Sequence, residues 1–245
     1  MADYLYDGTF DGLLTCIHFH YYNEKAEGIY IKESYQANML RSNVEVKSDP
    51  EKADIVYKAI RDKISPYDLR RIYKVFMSSE PEKEMRILNY VRYGFKCGSR
   101  INMLHGDPVV FAVQTVEKKV NNEIHRLKGL IRFSELEDGI LYSRIEPDHD
   151  VVEFMAEHFT DRYKNEPFII HDMKRSKALV AYQRKWYVTH FTEENVHGYS
   201  DAEKEYSLLW KRYFETIAIK ERKNERCQKN HMPQRYWKNM TEFQI

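Results

Sequence analysis

The side chains best suited to chemistry are concentrated between Glu123 and Arg175. His125, Asp148, His158 and Asp172 can act as acids, bases or ligands, and Arg126, Arg132, Arg162 and Arg175 can clamp an anion. Histidine changes charge near neutral pH, whereas the arginine fork stays charged and matches phosphate oxygens. If these side chains meet in one pocket, they support acid–base chemistry on a nucleic-acid base or backbone. Each also has a plainer role. His125 and Arg126 suit the C-terminal end of a helix dipole, Asp148 suits a helix cap, and Asp172 with Arg175 suits a turn closed by an ion pair.

A second set of candidates is electrostatic. The net charge of the 245-residue chain is only +1, but Lys58 to Arg100 carries eleven Lys or Arg against five acids. Lys211 to Lys238 carries nine against three. Basic segments of this kind suit a polyanion, because each neutralised phosphate releases counterions. Near the end, Arg222, Arg226, Arg235 and Lys238 accompany Tyr236 and Trp237, a mixture that can meet phosphates while an aromatic ring stacks on a base. The same aromatics can instead dock the segment into a groove of the core.

Several chemistries lack their motif. There is no HExxH, Cys-His knuckle, EF-hand loop, GxGxxG, GxxxxGK[ST] or GxSxG, so no metal site and no cofactor are expected. Cys16, Cys97 and Cys227 are too far apart in sequence for an iron–sulfur knuckle. No apolar run approaches the roughly 20 residues of a membrane span, and residues 1–22 do not read as a secretion signal. A cytoplasmic protein with no membrane contact is expected.

The elements that must position these residues read as an α+β chain, a mainly antiparallel sheet with packed helices and a helical subdomain. One compact unit is expected over 1–245, with a helical subdomain at 48–129, a sheet region at 130–191, and a C-terminal helix plus basic aromatic tail at 200–245. Short strands are expected near 4–6, 28–32 and 44–47, the first leading into a helix over 9–22. Asp49-Pro50 and Ser65-Pro66 open two helices, the second with Arg70, Arg71 and Lys74 on its outer side. Asp107-Pro108 opens a long one closed at Gly129. Strands at 130–133 and 140–145, a helix over 148–164, and a meander at 168–172, 178–182 and 186–190 follow. Ser200-Asp201-Ala202-Glu203 then caps a helix whose stripe of Tyr206, Leu209, Trp210, Phe214 and Ile217 is expected to be buried.

An ordered series of motifs carries a family resemblance. It runs through Tyr6-Asp7-Gly8, Glu123-x-His125-Arg126-Leu127-x-Gly129, Arg132-Phe133-x-Glu135-Leu136, Pro147-Asp148-His149 and His158-Phe159-x-x-Arg162. It continues in Asp172-x-x-Arg175, Leu209-Trp210-Lys211, Glu221-Arg222-x-Asn224 and Pro233-x-Arg235-Tyr236-Trp237. Over nearly its whole length the chain resembles uncharacterised bacterial DNA metabolism proteins. These are associated with a radical SAM (S-adenosylmethionine) protein similar to spore photoproduct lyase and are sometimes fused to a uracil-DNA glycosylase-like domain. The resemblance implies DNA repair or modification, with DNA and a radical SAM protein as partners. Glycosylase activity is not expected of this chain, which lacks the fused domain.

Three readings follow. The first is a DNA-binding accessory to a separate radical SAM enzyme. The second is an enzyme acting directly on nucleic acid through a His/Asp/Arg pocket. The third is a protein-interaction scaffold without nucleic acid, which a large exposed apolar patch would support.

Overall fold

The computed structural model describes residues 2–36, 41–217, 219 and 224–243, and is α+β. It divides into two compact units, Met1–Val120 and Asn121–Ile245.

The first unit is built on a three-stranded sheet. β1 (Ala2–Tyr6) lies between β2 (Ala26–Ile31) and β3 (Ser42–Glu45), and both pairings are parallel. A mainly antiparallel arrangement therefore holds for the second unit but not here. The reason is legible in retrospect: strand, helix, strand is the crossover that parallel pairing requires. The crossover helix α1 (Phe10–Tyr22) starts where the Thr9 hydroxyl accepts from the Gly12 N–H at 3.0 Å. Gly12 leaves room for the Asp7 carboxylate, an oxygen of which a Cβ would approach to 2.3 Å and displace.

Four helices follow: α2 (Pro50–Lys63), α3 (Pro66–Phe76), α4 (Lys83–Cys97) and α5 (Pro108–Leu130). Asp49 accepts from the Glu51 and Lys52 N–H groups and Ser65 from that of Asp68, so both expected caps form. Leu13, Ile17, Ile60, Ile72, Ile87, Leu88 and Val113 fill the core. Arg71 departs from expectation. It is buried, with its guanidinium among Asp68, Tyr90, Asn102 and Glu117.

The second unit carries a five-stranded sheet in the order β4 (Ser134–Glu135), β5 (Leu141–Ile145), β6 (Phe168–Asp172), β7 (Lys177–Tyr182), β8 (Lys185–His190). Only β5 and β6 run parallel, joined through a 3-10 turn at Glu153–Met155 and the short helix α6 (Ala156–Arg162). The β4–β5 hairpin turns at Gly139, whose φ of +78° suits glycine. β6, β7 and β8 form the expected meander.

Two boundaries and one buried face differ from the sequence reading. α5 runs on to Leu130, so no strand forms at 130–133. The helix expected over 148–164 shrinks to 153–162, because the Asp148 and His149 N–H groups are drawn to Glu123. Last, α7 (Asp201–Ile217) has no buried residue. Its expected core stripe is largely open, with Tyr206 at 69%, Leu209 at 56%, Trp210 at 40% and Ile217 at 54% exposure. Phe214 is half-buried against Phe243, with ring centroids 5.5 Å apart. α8 (Glu225–His231) and two 3-10 segments, Gln234–Asn239 and Thr241–Phe243, complete the described chain.

Candidate functional site

Some of the expected chemistry-bearing residues do converge, around the loop Glu146-Pro147-Asp148-His149. Glu123, on the last turns of α5 and 3% exposed, accepts from the Asp148 and His149 N–H groups at 2.8 Å each and from the Tyr236 hydroxyl at 2.7 Å. Arg235 lies 2.8 Å from the Asp148 carboxylate, 3.6 Å from Glu123, and donates to the Tyr236 oxygen. From the other side Arg175 donates to the Pro147 and Asp148 carbonyls and to Asp172 at 2.9 Å. Asp148, Asp172, Arg175, Arg235 and Tyr236 thus share one network. Its centre, Glu123, was not among the candidates for chemistry; its place at the head of the Glu123-x-His125-Arg126 motif was the only signal.

This network is a brace more than a reaction centre. Its buried carboxylates are already engaged, Glu123 by three donors and Asp172 by two, and burial raises the Asp172 carboxyl above its usual range while Arg175 opposes the shift. Burial also pushes the Tyr236 hydroxyl up to about 12, with Arg235 opposing and Glu123 adding.

Asp172 gives a pH signature. Because its folded pKa is raised, the native state holds the proton more readily than the unfolded chain, so this contribution is full below the unfolded pKa and is lost as pH rises through the folded one. Urea midpoints of wild type and Asp172→Asn between pH 7 and 3 should show the wild type gaining on the variant as pH falls. Parallel curves would remove Asp172 as the cause.

The remaining candidates are not members of this network, although Lys238 reaches the same loop through Glu146. His125 and Arg126 are exposed on α5. His158 is half-buried on α6, its ring 4.9 Å from that of Phe159, and burial, Lys128 and Arg162 all lower its pKa. Arg162 is exposed above the Tyr163 ring. Lys238 pairs with Glu146 at 2.6 Å, and Trp237 stacks on Phe243 with centroids 4.3 Å apart. Arg226 is exposed on α8, and Arg222 lies outside the described residues.

An open concavity of the second unit lies elsewhere. A groove of about 580 Å³ runs along α7, walled by Phe133, Tyr206, Leu209, Trp210 and Tyr213. Tyr206, Trp210 and Tyr213 recur at i, i+4 and i+7, which puts them on one helix face, and the last two rings lie 5.7 Å apart at 28°. Arg132, the one sequence candidate present, is held by Glu242 at 2.7 and 3.3 Å. The Trp210 Nε1–H donates to that same carboxylate at 3.3 Å.

A smaller pocket of about 150 Å³ also contains Arg132, with Ser134, Arg144, Lys204 and Asn239. Tyr142 on its wall contacts His171 through Nδ1 at 2.8 Å; burial raises the tyrosine and lowers the histidine. Sequence reasoning missed Arg144, Lys204 and the openness of the α7 aromatics, since each looks like an ordinary strand or helix residue in isolation.

Among the described residues no three His, Cys, Asp or Glu side chains are grouped to hold a metal ion, and no helix is long and apolar enough to cross a membrane. No curated protein and no solved structure gives a significant match. A family model does match, over residues 81–242, from α4 through the sheet of the second unit to Glu242. The chain accordingly belongs to the DUF4130 family, described as a domain of unknown function.

Proposed function

We propose that this protein is a DNA-handling accessory in repair or modification, which holds a strand for a separate enzyme, a radical SAM protein. The observation that carries the reading is the open groove of aromatic side chains along α7, with an arginine fixed at its edge. Aromatic faces left in solvent beside a cation are what single-stranded nucleic acid uses, because every base has a π-face to stack. The association with DNA and with a radical SAM partner comes from the resemblance described above, including the relatives fused to a uracil-DNA glycosylase-like domain. The dispersed thiols leave cluster chemistry to the partner. The direct-enzyme reading draws less support, since His125 and His158 share no contact with the Asp148 and Asp172 network.

The test is binding of labelled single-stranded, duplex and damaged oligonucleotides by anisotropy across a salt series. Binding should weaken with salt and favour the single strand. Tyr206→Ala with Trp210→Ala should lower single-strand affinity by roughly ten- to a hundredfold, the range of one or two lost stacking contacts. No binding at low salt by protein with a folded circular-dichroism spectrum would refute the reading. A protein-interaction surface would then be the better account, favoured by Leu208 at 53% and Ile217 at 54% exposure, aliphatic groups that a nucleobase does not require.

A further inference from the structure

We infer that the aromatic groove and the smaller pocket beside it form one site for a single nucleotide unit, base in the groove and phosphate in the pocket. This rests on the nucleic-acid reading above and specifies its ligand. The two cavities share Arg132, Glu203, Ser207 and Thr241, so they are parts of one concavity and not separate dents. Their chemistry changes sharply across that boundary.

On the groove side the walls are the Tyr206, Trp210 and Tyr213 rings, 69%, 40% and 55% exposed. Such surface is costly to leave in water and is suited to a flat apolar face. On the pocket side Arg132, Arg144 and Lys204 face a single lining carboxylate, Glu203. That carboxylate is already occupied: it accepts from the Glu135 N–H at 3.0 Å and from the Ser207 hydroxyl at 2.7 Å. Ser134 and Thr241 add hydroxyls and Asn239 an amide, donors that a phosphate oxygen can use.

The cations differ in how firmly they are held. Arg132 is fixed by two contacts to Glu242, and because Trp210 donates to the same carboxylate, one buried acid sets both the stacking ring and the boundary cation. Prior fixing of this kind lowers the ordering cost of binding. Arg144 is looser. Its contact with Glu193 is 3.5 Å long, with side-chain exposures of 36% and 60%, so an entering anion can replace it. Lys204 likewise pairs with the exposed Asp201. The groove wall is mainly apolar, so the site should accept any base and read the phosphate.

The same nucleoside monophosphate chemistry can come from a free nucleotide or from a strand, and the experiment separates the two. The full chain is titrated with dTMP, thymidine, inorganic phosphate and a dT12 oligonucleotide, following tryptophan fluorescence and calorimetric heat. Arg144→Gln and Trp210→Leu are run in parallel with their folding checked by circular dichroism. Wild type should bind dTMP at least roughly tenfold more tightly than thymidine, the factor expected for one charge-assisted contact. Arg144→Gln should erase that advantage while leaving thymidine unchanged. Trp210→Leu should weaken both and remove most of the fluorescence response. The dT12 strand should follow the same pattern.

If dT12 binds but neither substitution alters it, the assigned site is wrong and the nucleic-acid reading survives. If dTMP binds as described and dT12 does not, the site stands with a free nucleotide as ligand, and the strand-holding reading falls. If dTMP binds no more tightly than thymidine, or nothing binds, the inference is overturned.

Discussion

Arg71→Met is expected to destabilise the first unit by about 3–5 kcal/mol, the usual cost of removing one member of a buried ionic network. The Arg71 side chain is 6% exposed, Asp68 0% and Glu117 10%. Its guanidinium donates to Glu117 at 2.6 Å, Asp68 at 3.1 Å, the Tyr90 oxygen at 2.7 Å and Asn102 at 2.6 Å. Methionine matches the length of the stem but leaves two carboxylates without their counter-ion. Asp68 still has Ser65, Tyr90 and Asn102 as donors, so the larger share of the penalty falls on Glu117. Tyr90→Phe removes one hydroxyl from the same cluster and should cost only about 1–3 kcal/mol. Urea unfolding of the two variants checks the ordering. Equal losses would mean that the network stabilises through its hydrogen bonds and not through charge pairing.

The burial of Arg71 shows where sequence reasoning stops. On α3 the positions Asp68, Arg71, Ile72 and Val75 follow i, i+3, i+4, i+7, and all four are buried. The periodicity was there to be read, but charged residue types argued for solvent. The partners that reverse that argument, Tyr90, Asn102 and Glu117, come from distant segments. Local signals did better. The caps at Asp49, Ser65 and Ser200 mark real helix starts, because a capping side chain and its N–H are three residues apart or fewer. The meander from Phe168 to His190 was equally legible, since its connections are too short for anything but hairpins. The stripe on α7 failed for another reason. A pattern of apolar residues defines a face without saying what covers it, and here Tyr206, Leu209 and Trp210 remain open. Five candidate residues did gather at the 147–149 loop, yet their arrangement braces the fold, and the more accessible concavity lies along a helix read as core.

Glu123→Ala should be the most damaging single change in the second unit, with a loss of about 3–5 kcal/mol. Three donors converge on this one carboxylate: the Asp148 and His149 N–H groups and the Tyr236 hydroxyl. Alanine leaves all three in a buried site with nothing to accept them, and it separates Arg235 from one of its two anions. Glu123→Gln should lose less, because the amide oxygen still accepts, although its NH2 then faces one of the donors. Tyr236→Phe removes a single donor and should cost about 1 kcal/mol.

The consequence should extend to the proposed nucleotide site. Tyr236 anchors the 3-10 segment Gln234–Asn239, and the residues that follow include Thr241 in the groove and Glu242, which holds Arg132 and Trp210. Releasing that anchor should expose the segment to limited proteolysis and weaken dTMP binding together, even under conditions where Glu123→Ala remains folded. Protection equal to wild type, with binding nonetheless lost, would place Glu123 closer to the ligand than this account allows. Faster cleavage with binding unchanged would show that the groove keeps its shape without the Glu123 anchor.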